Sequence, residues 1–370
     1  MILIVNAGSS SLKVALYRQH PELEIVISAS VDRLDDRGGQ WVISVGDQSG
    51  PETASTTVAT YADALAELMT WLDQHGYRDE LEAVGHRVVH GGTVFSAPVL
   101  IDPAVMCQLT KLIPMAPTHL PQTIACIEAM QHLAPPLPHV ACFDTAFHTT
   151  MPLVARRYPL PRSLADQGIR RYGFHGLSYE SIQWQLDAID HDARSKRTII
   201  AHLGNGASMV ALRDGQSIDT TMGFTPAGGL MMGTRTGDLD PGLLVFLMQS
   251  SGLDASALDK LINKESGLLG VSGISGDVRD LESAAPDTEQ AREAIVLYCY
   301  IAKKQLGSMI AALGELHRLV FTGGIGEHSA MIRAGICEDL AFFGIELDPE
   351  RNAAHQTVIS PDTSSVEIMV

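Results

Sequence analysis

The chain has 370 residues, 45% of them hydrophobic and only 19% charged, a balance that excludes disorder. At roughly 150 residues per domain, this length predicts two domains or one domain doubled, each with enough core to fold without disulfides or metals. The 26 Lys and Arg against 43 Asp and Glu leave a net charge of −17, which repels nucleic acid and anionic membranes, so a bound anion must meet a local cluster of donors.

Apolar runs predict strands at 2–5, 83–84 with 88–89, 139–143, 198–201 and 319–322, and helical spacing marks 61–75, 123–132, 178–189 and 289–313. This alternation implies an α/β layered fold. The prolines of residues 134–138 break a helix before a strand, and Pro152, Pro159 and Pro161 mark a domain boundary near 146–165. The division expected is 1–150 and 151–370. No apolar run reaches the ~18 residues of a membrane helix. Cys107, Cys126, Cys142, Cys299 and Cys337 are far apart and never in a C-x-x-C pair, which fits buried thiols in a reducing cytoplasm. A soluble cytoplasmic protein is expected.

Residues 4–16 can be laid over residues 200–212 without a gap. Both copies read as strand, tight Gly/Ser/Asn turn, strand, which predicts two copies of one domain. Residues 321–327 supply a third turn of related character. Such turns expose consecutive N–H groups that can wrap phosphate oxygens, and three of them point to a polyphosphate held between two lobes. Chance similarity of hairpins is the alternative. No Walker A loop, G-x-G-x-x-G, H-E-x-x-H or G-x-S-x-G occurs.

Several single residues stand out. Arg87 sits in an apolar strand ending in Gly91-Gly92; it either grips an anion with its planar fork or reaches water from an edge strand. Arg235 lies in a Gly-rich loop (231–242), either as a ligand group or paired with Asp238 or Asp240 to close that loop. Asp144 follows a strand, where open α/β sheets bind ligands, or it caps the next helix. His175, between Gly173 and Gly176, is either a ligand contact or a structural hydrogen-bonder.

The segments Asn6-Ala7-Gly8-Ser9-Ser10-Ser11-Leu12-Lys13, 85–92, Phe143-Asp144-Thr145-Ala146-Phe147-His148, 172–176, 202–208, 234–242 and 323–327 together resemble the acetate and propionate kinase family of the sugar kinase, Hsp70 and actin superfamily. The resemblance implies duplicated ribonuclease-H-like (actin-like ATPase) domains with an interdomain active-site cleft, the second domain binding nucleotide and forming a homodimer. It implies ATP + acetate ⇌ ADP + acetyl phosphate with Mg²⁺ or Mn²⁺. By the same resemblance Asn6 is a magnesium-side residue, and Ser10, Ser11 and Lys13 line the phosphate turn. Arg87 and Arg235 clamp the carboxylate and the phosphoryl group, Asp144 is the acidic catalytic residue orienting Mg²⁺ or water, and His175 stabilises the transition state. Nucleotide falls to His202, Leu203, Gly204, Asn205 and Gly206, to Asp277, Val278 and Arg279, and to Gly324, Ile325, Gly326, Glu327 and His328. Val89, Phe174 and Pro226 match an apolar pocket for the acyl methyl.

Three departures from the family pattern bear on activity. Thr118 stands where an apolar pocket residue is usual, which leaves propionate or another short acid open, and His119-Leu120-Pro121 replaces His-Asn-Pro. His328 replaces an Asn beside the adenosine. Family members continue past Val370 into a segment bearing a magnesium-side glutamate, so a weakly active nucleotide-binding homologue is the further alternative.

Overall fold

Strand register, more than helix placement, organises the chain. In the computed structural model, which describes residues 1–8, 11–19, 23–32, 39–46, 52–53 and 58–370, two compact units appear: Met1–Ala146 and Phe147–Val370.

The first unit carries β1 (Ile2–Ala7), β2 (Ser11–Arg18), β3 (Glu24–Asp32), β4 (Trp41–Val45), β5 (Glu52–Thr53), β6 (Ala83–Val88), β7 (Val99–Leu100) and β8 (His139–Phe143), in sheet order β5-β4-β3-β2-β1-β6-β8-β7. Strands β1 to β5 pair antiparallel, whereas β6 runs parallel to β1 and β8 parallel to β6. The second unit carries β9 (Thr198–Leu203), β10 (Ala207–Arg213), β11 (Gln216–Thr220), β12 (Arg318–Thr322) and β13 (Glu367–Met369), in order β11-β10-β9-β12-β13. Here β9, β10 and β11 are antiparallel, and β12 and β13 run parallel to β9. The central order β3-β2-β1-β6-β8 is thus repeated, direction for direction, as β11-β10-β9-β12-β13. The fold is a duplicated ribonuclease-H-like α/β domain of the actin-like ATPase type.

The repeat read from the sequence is correct with one change. In the first hairpin Ala7 opposes Leu12, four residues intervening in the chain; in the second Leu203 opposes Ala207, with only three between them. The gapless overlay therefore slips by one in the second strand, and the structural partner of Lys13 is Ser208. The third expected turn is a helix instead. Gly323, at φ +79°, redirects the chain straight into the helix Gly323–His328, whose first N–H donates to Glu327 Oε1 at 3.0 Å.

Helices form where an apolar stripe recurs every three to four residues. Tyr61–Gln74 starts on a Thr60 cap, whose hydroxyl accepts from the Asp63 N–H at 3.1 Å, and buries Leu65, Leu68, Met69 and Leu72 against the first sheet. The 25-residue helix Glu289–Leu313 buries Ile295, Tyr298, Ala302, Leu306 and Leu313 and ends at Gly314, φ +87°.

Within the first sheet His86 and His139 are both buried, with His86 Nε2 and His139 Nδ1 3.0 Å apart. Burial, helped by His139, lowers the His86 pKa to about 3. Between pH 6.5 and 3 the unfolded chain therefore binds a proton that the folded chain refuses, so stability rises with pH there and falls on acidification. His86→Phe keeps a ring against His139 and removes that proton. Between pH 6.5 and 5 the wild type should lose about 2 kcal/mol more than this variant in urea unfolding; equal losses would refute the buried neutral imidazole.

Candidate active site

Register places the first cluster. Ile4 pairs with Gly85 across β1 and β6, and Arg87 pairs with Cys142 across β6 and β8. Side chains alternate along a strand, so Asn6, Arg87 and Asp144 project from one face at the carboxyl ends of three parallel strands. They meet there. Arg87 Nε donates to both Asp144 oxygens at 3.0 and 3.2 Å, Nη2 to Oδ2 at 2.6 Å, and Nη1 to Asn6 Oδ1 at 3.0 Å. Among the described residues these bonds occupy three of the five guanidinium N–H groups. Asp144 is 2% exposed and Arg87 31%, and the Asp144 charge pushes the Arg87 pKa further up. The edge-strand alternative for Arg87 fails, because β6 lies inside the sheet between β1 and β8.

Around this cluster, Lys13 lies opposite Asn6 in the hairpin and is exposed, and the half-buried Ser11 accepts the Gly8 N–H at 2.8 Å through its carbonyl. Ser10 lies outside the described residues. Tyr61 Oη donates to the Gly8 carbonyl at 2.7 Å, a pin on the turn that only the fold reveals. Val89 is buried just past β6, and Thr118 Oγ1 is 2.8 Å from His119 Nδ1.

The second unit assembles another group. His175, in the left-handed conformation at φ 59°, opens the helix Gly176–Ile189. Its Nδ1 lies 2.8 Å from Ser208 Oγ on β10, and its ring sits 4.3 Å from that of His202 on β9. A Cβ on Gly206 would come 3.4 Å from His175 Nε2 and 3.6 Å from Arg235 Nη1, so imidazole and guanidinium flank the same glycine. Arg235 donates to the Pro226 carbonyl at 3.0 Å. Of its acidic neighbours, Asp238 accepts the Gly229 N–H and Asp240 the Gly242 N–H. Phe174 is buried and its carbonyl is 2.9 Å from His148 Nε2.

The three stretches assigned to nucleotide are neighbours. Gly204 and Gly206 close the turn after Leu203 by an N–H to carbonyl bond of 3.0 Å. Asn205 accepts the Gly233 N–H at 3.1 Å through its carbonyl, and a Cβ on Gly276, just before Asp277, would come 2.8 Å from the Gly233 carbonyl. Asp277 caps the helix Val278–Ala284 and takes Arg279 Nη2 at 2.6 Å. The helix Gly323–His328 starts against Leu203, with Gly324 and His328 exposed, Ile325 half-buried and Gly326 buried. Sequence reasoning gave no role to Ser208, Tyr179, Gly233 or Gly276. Ser208 stood inside a quoted segment, but its partners are distant in the chain.

Comparison with known proteins agrees with this fold. The profile of the acetokinase family matches residues 1–370. An acetate kinase of Rhodopseudomonas palustris is 46% identical over 358 residues, 96% of this chain and 89% of that one. Two solved structures superpose over 100% of this chain and 95% of theirs: the acetate kinase of Porphyromonas gingivalis, at 39% identity and TM-score 0.91, and a propionate kinase of Francisella tularensis, at 36% and 0.94. A match of this extent, on a duplicated sheet with its charged residues at the carboxyl ends of parallel strands, makes the chain a member of the acetokinase family.

Proposed function

We propose that this chain catalyses the reversible, direct in-line transfer of the γ-phosphoryl group of ATP to acetate, giving acetyl phosphate and ADP. The observation that carries this reading is the Asn6–Arg87–Asp144 cluster in a chain of this family. Phosphoryl transfer gathers charge on the equatorial oxygens of the moving group, so catalysis is positioning plus charge stabilisation. Acetate is ionised at neutral pH and needs no base. Asp144 accordingly serves as the anchor that aims the Arg87 fork. Arg87 and Arg235 stabilise the charge on the carboxylate and phosphoryl oxygens, and His175 adds a hydrogen bond. Ser10, Ser11, Lys13 and the stretches at 202–206, 277–279 and 324–328 hold the nucleotide, and Val89, Thr118, Phe174 and Pro226 take the acyl methyl.

Mg²⁺, or Mn²⁺, fits the donors present. Among the described residues there is no cluster of three or more His, Cys, Asp or Glu, but the buried Asp144 carboxylate lies beside the Asn6 amide oxygen, both on Arg87. Mg²⁺ commonly takes one or two protein oxygens and completes its shell with water and substrate phosphates. Asn6 and Asp144 would hold it, and when bound it would neutralise charge on the transferring group.

A coupled assay with ATP, Mg²⁺ and acetate, propionate or butyrate tests the reading. Acyl phosphate formation fastest with acetate supports it; a preference for propionate favours the second acid, and nucleotide binding without turnover on any acid overturns catalysis. The homodimer expected of the family is part of the proposal. The apolar helix Pro241–Ser251 has no buried residue and leaves Leu243, Val245, Phe246 and Met248 between 41 and 58% exposed, a face that calls for cover. A monomeric mass in light scattering would overturn it. A cytoplasmic location, where ATP is supplied, completes the proposal, and among the described residues no helix is long and apolar enough to cross a membrane.

A further inference from the structure

We propose that Ser208 and Tyr179 are positioning residues that fix the His175 imidazole as the tautomer protonated on Nε2. The inference rests on the proposed contact of His175 with the transferring group. Ser208 and Tyr179 are fully buried, on β10 and on the helix that His175 opens. Ser208 Oγ lies between the Tyr179 hydroxyl and His175 Nδ1, the latter at 2.8 Å. A serine hydroxyl has one proton and two lone pairs. The phenol is the more acidic of the two hydroxyls and hence the better donor, so Tyr179 donates to Ser208 and Ser208 sends its single proton to Nδ1. Bonds aligned in this way strengthen one another. With Nδ1 accepting, the ring proton sits on Nε2.

That atom lies beside the Gly206 turn, which the Arg235 guanidinium also approaches, so the relay leaves an imidazole N–H donor at that place. The reverse polarity, Nδ1 to Ser208 to Tyr179, would turn a bare lone pair on Nε2 toward the same place, where it would repel a phosphoryl oxygen. The ring has little freedom to compensate. Its backbone is held at φ 59°, in the left-handed region, and its face lies against His202, whose own Nδ1 is fixed by Ser178 Oγ at 2.8 Å.

Nitrogen NMR of the full chain labelled with ¹⁵N-histidine tests this, the His175 signals being identified by their loss in His175→Gln. The expected spectrum shows Nε2 protonated and Nδ1 bare. Tyr179→Phe and Ser208→Ala should each mix the tautomers and lower kcat on the order of tenfold, the scale seen when outer hydrogen-bond partners of a site are removed, with KM for ATP and acetate little changed. A protonated Nδ1 in the wild type overturns the proposal without recourse to any variant, as does a tautomer that both variants leave unaltered. Wild-type turnover in His175→Gln would instead overturn the role of His175 while the tautomer assignment stood.

Discussion

Arg87→Met is expected to abolish turnover and also to destabilise the first unit, although Arg87 itself is a third exposed. The Asp144 carboxylate is almost fully buried, and among the described residues it accepts three bonds from Arg87. Removing one partner of a buried ion pair commonly costs about 3–5 kcal/mol, because the remaining charge loses its compensation. The water that reaches Arg87 reduces this, to about 2–3 kcal/mol here, or a fall in Tm of roughly 5–10 °C. The double variant Arg87→Met/Asp144→Leu removes both charges, so it should recover most of the lost stability and none of the activity. Arg87→Lys keeps a charge but loses the fork, and should lower turnover on the order of 10³-fold, as for arginine fingers, with a smaller change in Tm. Thermal unfolding and initial rates on the three variants check this. Wild-type Tm in Arg87→Met would refute the anchoring role of Asp144, and near-normal turnover in Arg87→Lys would refute the bidentate clamp.

Residues that lie on strand ends were the ones legible in the sequence. Asn6 and Asp144 each follow a short apolar run and Arg87 interrupts one, and alternation along parallel strands then fixes their face. Helices with a full stripe, such as Glu289–Leu313, were readable for the same reason. The one-residue difference between the hairpin turns was not, because apolar periodicity of two on both strands tolerates a slip until the pairing itself is known. The relay through Ser208 was hidden more deeply. It joins residues 175, 179 and 208, and a buried hydroxyl in a strand reads like any small core residue until its partners are placed. The helix at Gly323 was mistaken for a turn because Thr-Gly-Gly-Ile-Gly carries turn composition; the carboxylate of Glu327, reaching back to the Gly323 N–H, is what lets a helix start there.

The two adjacent glycines of that helix should respond oppositely. Gly323 sits at φ +79°, and a Cβ on it would lie 2.7 Å from the Leu203 carbonyl oxygen and 3.1 Å from its carbon. Those are backbone atoms of β9, so relief requires β12 and its helix to move away from the turn at 204–206. Gly323→Ala should therefore cost about 1–3 kcal/mol from the left-handed backbone alone and, on the proposed assignment of both segments to nucleotide, raise KM for ATP by about tenfold, near 1.4 kcal/mol of lost binding, with KM for acetate unchanged. Gly324 is exposed, and nothing lies within 4 Å of a Cβ built on it. Alanine there should keep Tm or raise it slightly, since replacing a helical glycine is worth roughly 0.5–1 kcal/mol. A rise in KM for ATP in Gly324→Ala at unchanged Tm then reports the ligand, the folded chain having nothing there for the methyl to meet. If Gly323→Ala matched the wild type in both Tm and KM, the close approach of β12 to the β9 turn would not be what holds the nucleotide segments in register.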